Sequence, residues 1–198
     1  MSPQKKIAFL ITHGSEEMEA VITIDVLRRG GLHVDVVGVQ TGGESVVRCS
    51  RGVKIQPDFV LNVANPGQDI NPNKYDAVVL PGGQPGSDTF ASDEQVLTIL
   101  NTFFDAGKVV AAICAAPLAL KAARLYEKRS LSITSYPATK SKLEDSFDYN
   151  DLDNVVVDGN LVTSKGPGTA VFFALKLVEI LHSGEKAKEV KDALALPC

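Results

Sequence analysis

The chain is poor in three residue types that often carry structure or chemistry: among 198 residues it has no tryptophan, two methionines and three cysteines. The cysteines are Cys49, Cys114 and Cys198. An odd number of cysteines without C-x-x-C spacing indicates neither a disulfide framework nor a zinc site. We therefore expect no bound metal, and any cysteine chemistry belongs to single thiols.

A strong charge of one sign and a long hydrophobic run are also absent. The net charge is −4, with acidic and basic residues interspersed, which does not favour nucleic-acid binding. Residues 1–6 lead directly into a short strand-like run, without the apolar region of a signal peptide or a membrane span. We therefore predict a cytoplasmic protein, also nuclear in a eukaryotic cell, that binds neither nucleic acid nor membrane.

Apolar residues make up 44% of the chain, which is enough for a sizeable core. Strand-like and helix-like segments alternate from end to end, as in a sheet covered by helices on both faces. This pattern predicts a single α/β domain over residues 1–198. The expected architecture is a flavodoxin-like (Rossmann-like) three-layer sandwich with a mostly parallel sheet.

Periodicity and capping residues predict the individual elements. Ser15 is the expected N-cap of the first helix, and Gly30 is expected to end it. Strands are predicted at 6–11, 34–39, 77–80, 109–113 and 131–135, with hairpins at 46–55 and 155–163. Helices are predicted at 16–29, from 92–95 to Gly107, directly after Cys114, and from about 169 to 183. Loops are predicted at 64–74 and 136–151.

The apolar run at 109–113 ends on Cys114 and passes directly into an alanine-rich helical pattern. Pro117 fits the first turn of that helix, where its missing N–H costs nothing. A thiol at such an elbow meets unpaired N–H groups and the positive end of the helix dipole, and both lower its pKa. Cys114 is therefore a candidate nucleophile, and the alternative interpretation is a small buried hydrophobic residue.

Sites in open α/β sheets form beyond the carboxyl ends of the strands. Four segments of this sequence converge there, namely 13–19, 81–83, Cys114 and 165–168. The backbone N–H groups of Gly83 and Ala115 are candidates for stabilising an oxyanion. Glu19 and its acidic neighbours lie in the first turn of a helix. They either serve the site or compensate the helix dipole on a solvated face.

Other reactive side chains have simpler interpretations. His13 lies at the same edge and is either a pocket residue or a solvated loop residue. Cys49 is expected to pack in the interior, and Cys198 to fray at the terminus. Lys165 is expected to be solvated.

Four motifs follow one another along the chain: Gly14-Ser15-Glu16-Glu17-Met18-Glu19, Leu80-Pro81-Gly82-Gly83, Ala111-Ala112-Ile113-Cys114-Ala115-Ala116-Pro117 and Thr163-Ser164-Lys165-Gly166-Pro167-Gly168-Thr169. Together they resemble the ThiJ/PfpI superfamily over nearly the whole chain. The closest match is its branch of Parkinson-disease protein deglycases and glutathione-independent glyoxalases. The resemblance implies a homodimer in which a protonated Glu19 hydrogen-bonds the Cys114 thiolate.

The resemblance also implies roles in binding. Gly82, Gly83 and Ala115 match the family's oxyanion-binding backbone, and Pro167 matches its pocket wall. Arg51 matches an arginine at the dimer-facing side of the pocket, and Arg29 matches an arginine at the end of the first helix.

The sequence departs from the family at two positions. Protease-like members carry histidine directly after the elbow cysteine, where this chain has Ala115. In the deglycase branch a histidine commonly precedes a proline after a later strand, and the matching dipeptide here is Tyr136-Pro137. Tyrosine can donate a hydrogen bond but is a poor base at neutral pH. A Cys-His-acid triad is therefore not expected, and Glu19 is left to move protons.

The function implied by the resemblance is that of a cofactor-independent enzyme acting on a small dicarbonyl substrate. It would convert methylglyoxal or glyoxal to lactate or glycolate through a Cys114 hemithioacetal, with Glu19 as general acid and base, and the same chemistry could deglycate proteins. The alternative is an oxidative-stress sensor or redox-regulated chaperone, because a reactive cysteine can reach the sulfinic state. An intracellular cysteine peptidase is disfavoured by the missing histidine.

Overall fold

The computed structural model describes residues 4–61 and 70–196. In this part of the chain the strands are β1 Lys6–Ile11, β2 His33–Gly38, β3 Val47–Arg48, β4 Lys54–Ile55, β5 Phe59–Val60, β6 Ala77–Leu80, β7 Val109–Ile113, β8 Ser132–Ile133, β9 Asp148–Tyr149, β10 Val155–Asp158 and β11 Leu161–Ser164. The α-helices are α1 Glu17–Arg29, α2 Gln84–Ser92, α3 Glu94–Asp105, α4 Pro117–Ala122, α5 Ala170–Leu181 and α6 Gly184–Ala193.

Seven strands form the central sheet, in the order β10-β11-β7-β6-β1-β2-β5. Every neighbouring pair is parallel except β10 with β11, which form an antiparallel hairpin. The chain runs from β1 outward to β2, and later returns to the other side of β1 with β6. The crevice beyond the carboxyl ends of β1 and β6 is thus the point where strand order reverses, which is where open α/β sheets bind ligands.

The middle strand β1 shows why the sheet has helices on both faces. Ile7, Phe9 and Ile11 are buried in one core, packed with residues of α1 and α5. Ala8 and Leu10 point to the opposite face and are buried in a second core with residues of α2, α3 and α4. The predicted three-layer sandwich with a mostly parallel sheet is confirmed.

The start of α1 differs from the prediction. Its N-cap is Glu16, whose Oε2 accepts the backbone N–H of Glu19 at 2.7 Å. Ser15 Oγ instead accepts the N–H of Thr12 at 3.1 Å and closes the turn that precedes the helix. The prediction of Ser15 as N-cap is wrong, because the carboxylate of Glu16 accepts the free N–H group of Glu19 while Ser15 Oγ is engaged with Thr12. Gly30 ends the helix as predicted.

The region 131–151 is more structured than the sequence indicated. The strand predicted at 131–135 is reduced to β8, which pairs with β9 in a separate small sheet. Its position follows from Asp158, whose Oδ2 accepts the N–H of Ser132 at 2.7 Å. The predicted loop 136–151 contains β9 and a 3₁₀-helix, Pro137–Lys142.

Helices α2 and α6 were not predicted from the sequence. Helix α3 begins after its N-cap, Asp93. Its side chain accepts the N–H groups of Gln95 and Val96. The hairpins predicted at 46–55 and 155–163 are confirmed. Residues 62–69, which include most of the predicted loop at 64–74, and Cys198 lie outside the described residues.

Candidate active site

Cys114 directly follows β7 and adopts a left-handed backbone conformation, with φ of 65°. Such a conformation costs a residue with a side chain about 1–3 kcal/mol. Two backbone hydrogen bonds hold it in place. The N–H of Cys114 donates to Ser164 O at 2.9 Å, and its carbonyl accepts the N–H of Tyr136 at 2.8 Å. The ends of β7 and β11 and the segment after β8 therefore fix the thiol at the edge of the sheet.

Glu19 projects from the first turn of α1 into the same place and is completely buried. Its Oε2 accepts the backbone N–H of Gly82 at 2.7 Å. Within the described part of the chain, its Oε1 has no hydrogen-bonding partner. Burial raises the pKa of Glu19 to about 7, against the opposing influence of Gly82 and of the Cys114 thiol. Glu19 is thus not a solvated residue that compensates the helix dipole.

The thiol of Cys114 interacts directly with the Glu19 carboxyl and is 8% exposed. Burial, followed by the charge of an ionised Glu19, raises its pKa to about 12. The backbone N–H groups of Gly83 and Ala115 lower the pKa but do not outweigh these causes. The net lowering expected from the helix N-terminus is therefore wrong while Glu19 is ionised. Helix α4 has only six residues, and the buried carboxylate dominates.

The turn after β6 brings its backbone against both reacting groups, and this explains its two glycines. A Cβ on Gly82 would lie 2.5 Å from the Cβ of Cys114 and 2.9 Å from Glu19 Oε2. Gly83 has a φ of +85°, and a Cβ there would lie 2.2 Å from the carbonyl oxygen of Gly14. Neither position tolerates a side chain, so the predicted backbone wall formed by these glycines lies beside the pair.

Gly166, which follows β11, and Tyr136, which follows β8, also border the pair. A Cβ on Gly166 would lie 3.5 Å from Tyr136 Cδ2, 4.0 Å from Cys114 Sγ and 4.0 Å from Glu19 Oε1. Tyr136 is half-exposed, and the adjacent Pro167 is partly buried at the start of a 3₁₀-helix. Gly166 was not singled out from the sequence. The signal that could have identified Gly166 as a site residue was its position between the end of a strand and a proline.

The hairpin β3–β4 is fastened to the start of α1 by Glu17. Its Oε1 accepts the backbone N–H of Arg51 at 2.7 Å, and its Oε2 accepts the hydroxyl of Ser50 at 2.8 Å. Burial opposes ionisation, but these hydrogen bonds and that of its own N–H keep the pKa of Glu17 below its ordinary value. Sequence reasoning did not identify this contact, because it joins side chain and backbone across 34 residues.

His13 is a structural bridge. Its Nδ1 accepts the N–H of Arg48 at 3.1 Å, so its Nε2 carries the hydrogen that faces Thr41 O at 3.2 Å. These contacts join the loop after β1 to the hairpin and to the segment after β2. Both ring nitrogens are therefore engaged with backbone groups, and neither expectation for His13, a pocket residue or a solvated one, describes it.

The predicted arginines face other partners in this structure. The Arg51 guanidinium is exposed and donates to Ser50 O at 3.3 Å, while Arg29 pairs with Asp25 at 2.7 Å. Lys165, which was expected to be solvated, is half-buried and donates to the carbonyl oxygens of Asp151 and Leu152 at an exposed position. Cys49 packs in the core as expected, and burial followed by the charge of Glu17 raises its pKa to about 11.

Within residues 4–61 and 70–196, no group of three or more His, Cys, Asp and Glu side chains is arranged to hold a metal ion. None of the helices in these two ranges has the length and apolar character needed to cross a membrane.

Comparison with known proteins gives a consistent result. The model of the DJ-1/PfpI family matches residues 5–180. The chain belongs to the DJ-1/PfpI family. The resemblance to this family that the four motifs indicated is thus confirmed. The matched residues include every element that carries the candidate site.

Similar members of the DJ-1/PfpI family cover nearly the whole chain. Protein dj-1beta of Drosophila melanogaster is 44% identical over 190 residues, which is 96% of each chain. The glutathione-independent glyoxalase DJR-1.2 of Caenorhabditis elegans is 37% identical over 198 residues, which is 99% of each chain. The crystal structure of Drosophila melanogaster DJ-1beta superposes with a TM-score of 0.89 at 41% identity, covering 99% of this chain and 100% of that one.

Proposed function

We propose that this protein is a glutathione-independent glyoxalase that converts methylglyoxal to lactate and glyoxal to glycolate. The observation that carries the proposal is the contact between the Cys114 thiol and the buried Glu19, whose pKa is raised to about 7. A nucleophile and a group that can both give and take a proton near neutral pH are what this isomerisation needs. The relative named as a glutathione-independent glyoxalase supports the same activity.

The hydrogen-bond donors around the pair indicate where its last proton resides. The N–H groups of Gly83 and Ala115 favour negative charge on Sγ. Glu19 receives one backbone N–H on Oε2, and its Oε1 has no donor among the described residues. We propose that, once the pair has lost one proton, the remaining proton lies on Glu19, so that the reactive form is a Cys114 thiolate hydrogen-bonded by a carboxylic acid.

The reaction follows from this arrangement. Sγ attacks the aldehyde carbon, and the carboxyl proton of Glu19 passes to the aldehyde oxygen, which gives a neutral hemithioacetal. The Glu19 carboxylate then removes the hydrogen from that carbon, the hydroxyl proton of the resulting enediolate passes to the neighbouring carbonyl oxygen, and Glu19 returns its proton to the neighbouring carbon, which restores the carboxylate. The product is a thioester of a 2-hydroxy acid on Cys114. Water hydrolyses this thioester, releases the 2-hydroxy acid and restores the pair.

The backbone beside the pair supplies donors for the developing negative charge. The N–H groups of Gly83 and Ala115 act on Sγ, which supports a role for them in stabilising an oxygen that forms on the carbon bonded to Sγ. In protein deglycation, Sγ attacks the carbon of a hemiaminal that a dicarbonyl has formed with a protein amine. The amine leaves with a proton, and the hemithioacetal that remains on Cys114 is the same as the one formed from a free aldehyde.

Lactate production from methylglyoxal tests the proposal. Cys114→Ser and Glu19→Ala are each expected to lose nearly all activity, because each removes one member of the pair. Cys49→Ser is the matched control, since Cys49 is also buried but the carboxyls that act on its thiol are those of Glu17 and Glu16 and not that of Glu19. Wild-type rates in both Cys114→Ser and Glu19→Ala would show that the mechanism is wrong.

We also propose that the protein is a homodimer, as the resemblance implied. Met18 and Val21 lie three residues apart on α1 and are 52% and 50% exposed, and Val53 on the neighbouring hairpin is 47% exposed. Exposed apolar side chains grouped in this way are typical of an interaction face. Sedimentation should show a dimer that Met18→Glu converts to a monomer, and a monomeric wild-type protein would contradict the proposal.

A redox sensor is the second candidate function, favoured by the donors around Sγ. Two equivalents of peroxide would oxidise the Cys114 thiolate to a sulfinate and be reduced to water, and Glu19 as an acid would hydrogen-bond the new anion. Mass spectrometry after mild peroxide should find oxidation at Cys114 before Cys49, whereas equal oxidation of both would argue against sensing. Peptidase chemistry is not proposed, because His13 is engaged with backbone groups and position 115 is alanine.

A further inference from the structure

The backbone of Tyr136 is fixed from several sides, next to the active thiol. Its N–H donates to the carbonyl of Cys114 at 2.8 Å. Its own carbonyl accepts the N–H and the hydroxyl of Thr139, both at 2.8 Å, and the hydroxyl of Ser135 at 3.3 Å. These contacts tie the residue to the end of β7 and to the 3₁₀-helix that follows it.

The ring, the thiol and the acid all border one small space. A Cβ on Gly166 would occupy it, at 3.5 Å from Tyr136 Cδ2 and 4.0 Å from both Sγ and Oε1. The φ of Gly166 is 162°, which any residue can adopt, so the backbone itself does not require glycine. The absence of a side chain leaves this space open to a substrate atom attached to the carbon that Sγ attacks.

The chemistry of Tyr136 at this position is mainly that of its ring. The side chain is 47% exposed, and its hydroxyl makes no hydrogen bond to any residue in the described ranges. A phenol is also a poor base at neutral pH. What the ring offers a bound molecule is an apolar, aromatic surface next to the reacting carbon.

We propose that Tyr136 is a specificity-determining residue whose ring favours 2-oxoaldehydes with an aryl or bulky apolar substituent over methylglyoxal. This inference rests on the proposed glyoxalase function. The aldehyde carbon reacts with Sγ, and the substituent on the neighbouring carbonyl lies in the space left by Gly166, against the ring. Contact between two aromatic rings favours the aryl substrate by about threefold to tenfold.

The test compares kcat/KM for phenylglyoxal and for methylglyoxal in folded variants with wild-type melting temperatures. Tyr136→Ala is expected to lower the ratio of the two values by about fivefold, and Tyr136→Phe to preserve the ratio because the ring remains. Phe172→Ala is the matched control, since Phe172 is 48% exposed and lies on α5. An unchanged ratio in Tyr136→Ala, or an equal fall in Tyr136→Phe, would overturn the inference.

Gly166→Ala provides a second, independent variant. Its methyl group would enter the shared space at ordinary contact distance without backbone strain, so it should reduce turnover of phenylglyoxal more than that of methylglyoxal. Gly184→Ala, where a Cβ meets no atom within 4 Å, is its control. Equal losses for both substrates would contradict the inference. Wild-type protein that turns over neither substrate would instead overturn the proposed function, and the inference with it.

Discussion

Gly82 donates its backbone N–H to Glu19 Oε2 at 2.7 Å, and the same residue leaves no room for a side chain against Cys114. One glycine thus holds the acid and sets how closely the β6 turn approaches the thiol. The hydrogen bond favours the ionised carboxyl, whereas burial favours the neutral one, and burial is the larger cause. The balance leaves Glu19 able to exchange a proton near neutral pH.

Gly82→Ala should abolish lactate production. Its Cβ would stand 2.5 Å from the Cβ of Cys114, so the turn or the thiol must move. Overpacking of this kind costs about 1–3 kcal/mol, and denaturant unfolding should show that loss. Gly184→Ala, which meets open space, should keep both activity and stability. Wild-type turnover in Gly82→Ala would contradict the described approach of this turn.

The rate should depend on pH through the titration of the pair. As pH rises through about 7, the pair loses its first proton, and in the proposed reactive form the charge then lies on Cys114 and the remaining proton on Glu19. We therefore expect kcat/KM for methylglyoxal to increase with pH and to level off above about 7. A profile that is flat between about pH 5 and pH 8 would show that the pair does not titrate in the reactive range.

Glu19 should make the fold less stable as the pH rises. Unfolded Glu19 loses its proton at its ordinary pKa of 4.5, whereas the folded pair of Glu19 and Cys114 keeps its first proton up to about 7, so the stabilisation is fully present below 4.5 and is lost as pH rises through about 7. The loss is about 3 kcal/mol. Glu19→Gln cannot ionise, so its stability relative to wild type should increase by that amount between these pH values, as measured by urea unfolding at each pH. A constant difference would contradict the raised pKa.

The two buried cysteines should differ in reactivity. Burial and the negative charges of Glu17 and Glu16 raise the pKa of Cys49 to about 11, so these carboxylates disfavour its thiolate. In the proposed reactive form Cys114 is a thiolate stabilised by Glu19, so it should be alkylated first at neutral pH, as mass spectrometry would show. In Cys49→Ser, Cys114 should be alkylated at the wild-type rate. Faster labelling of Cys49 than of Cys114 in wild type would contradict the pairing of Cys114 with Glu19.

The sequence predicted those parts of the fold that depend on neighbouring residues. The bounds of β1, β6 and β7 match because each is a short apolar run that stops at a turn, and the hairpin of β10 and β11 follows from Asp158-Gly159. Short elements and caps were harder. Whether Ser15 or Glu16 caps α1 depends on which side chain reaches the N–H of Glu19, and composition does not determine that distance.

The site was predictable where a motif carried it and not where it depends on burial. Cys114 and Glu19 were identified from the sequence, and the structure brings them into contact. The pKa of the thiol beside an ionised Glu19 was misjudged because the helix N-terminus is a local feature, whereas burial and a carboxylate from another element act through space. The bridging role of His13 was missed for the same reason, since its partners Thr41 and Arg48 are distant in sequence.

The sharing of one proton between Cys114 and Glu19 is tested most directly by titrating the ultraviolet absorbance of the thiolate in wild type and in Glu19→Gln, each on a Cys49→Ser background. The wild-type thiolate should appear as pH rises through about 7. In Glu19→Gln the acid that stabilises it is gone while burial remains, so the transition should move to higher pH. An unchanged transition would show that the two groups are not coupled, and a shift to lower pH would place the shared proton on sulfur.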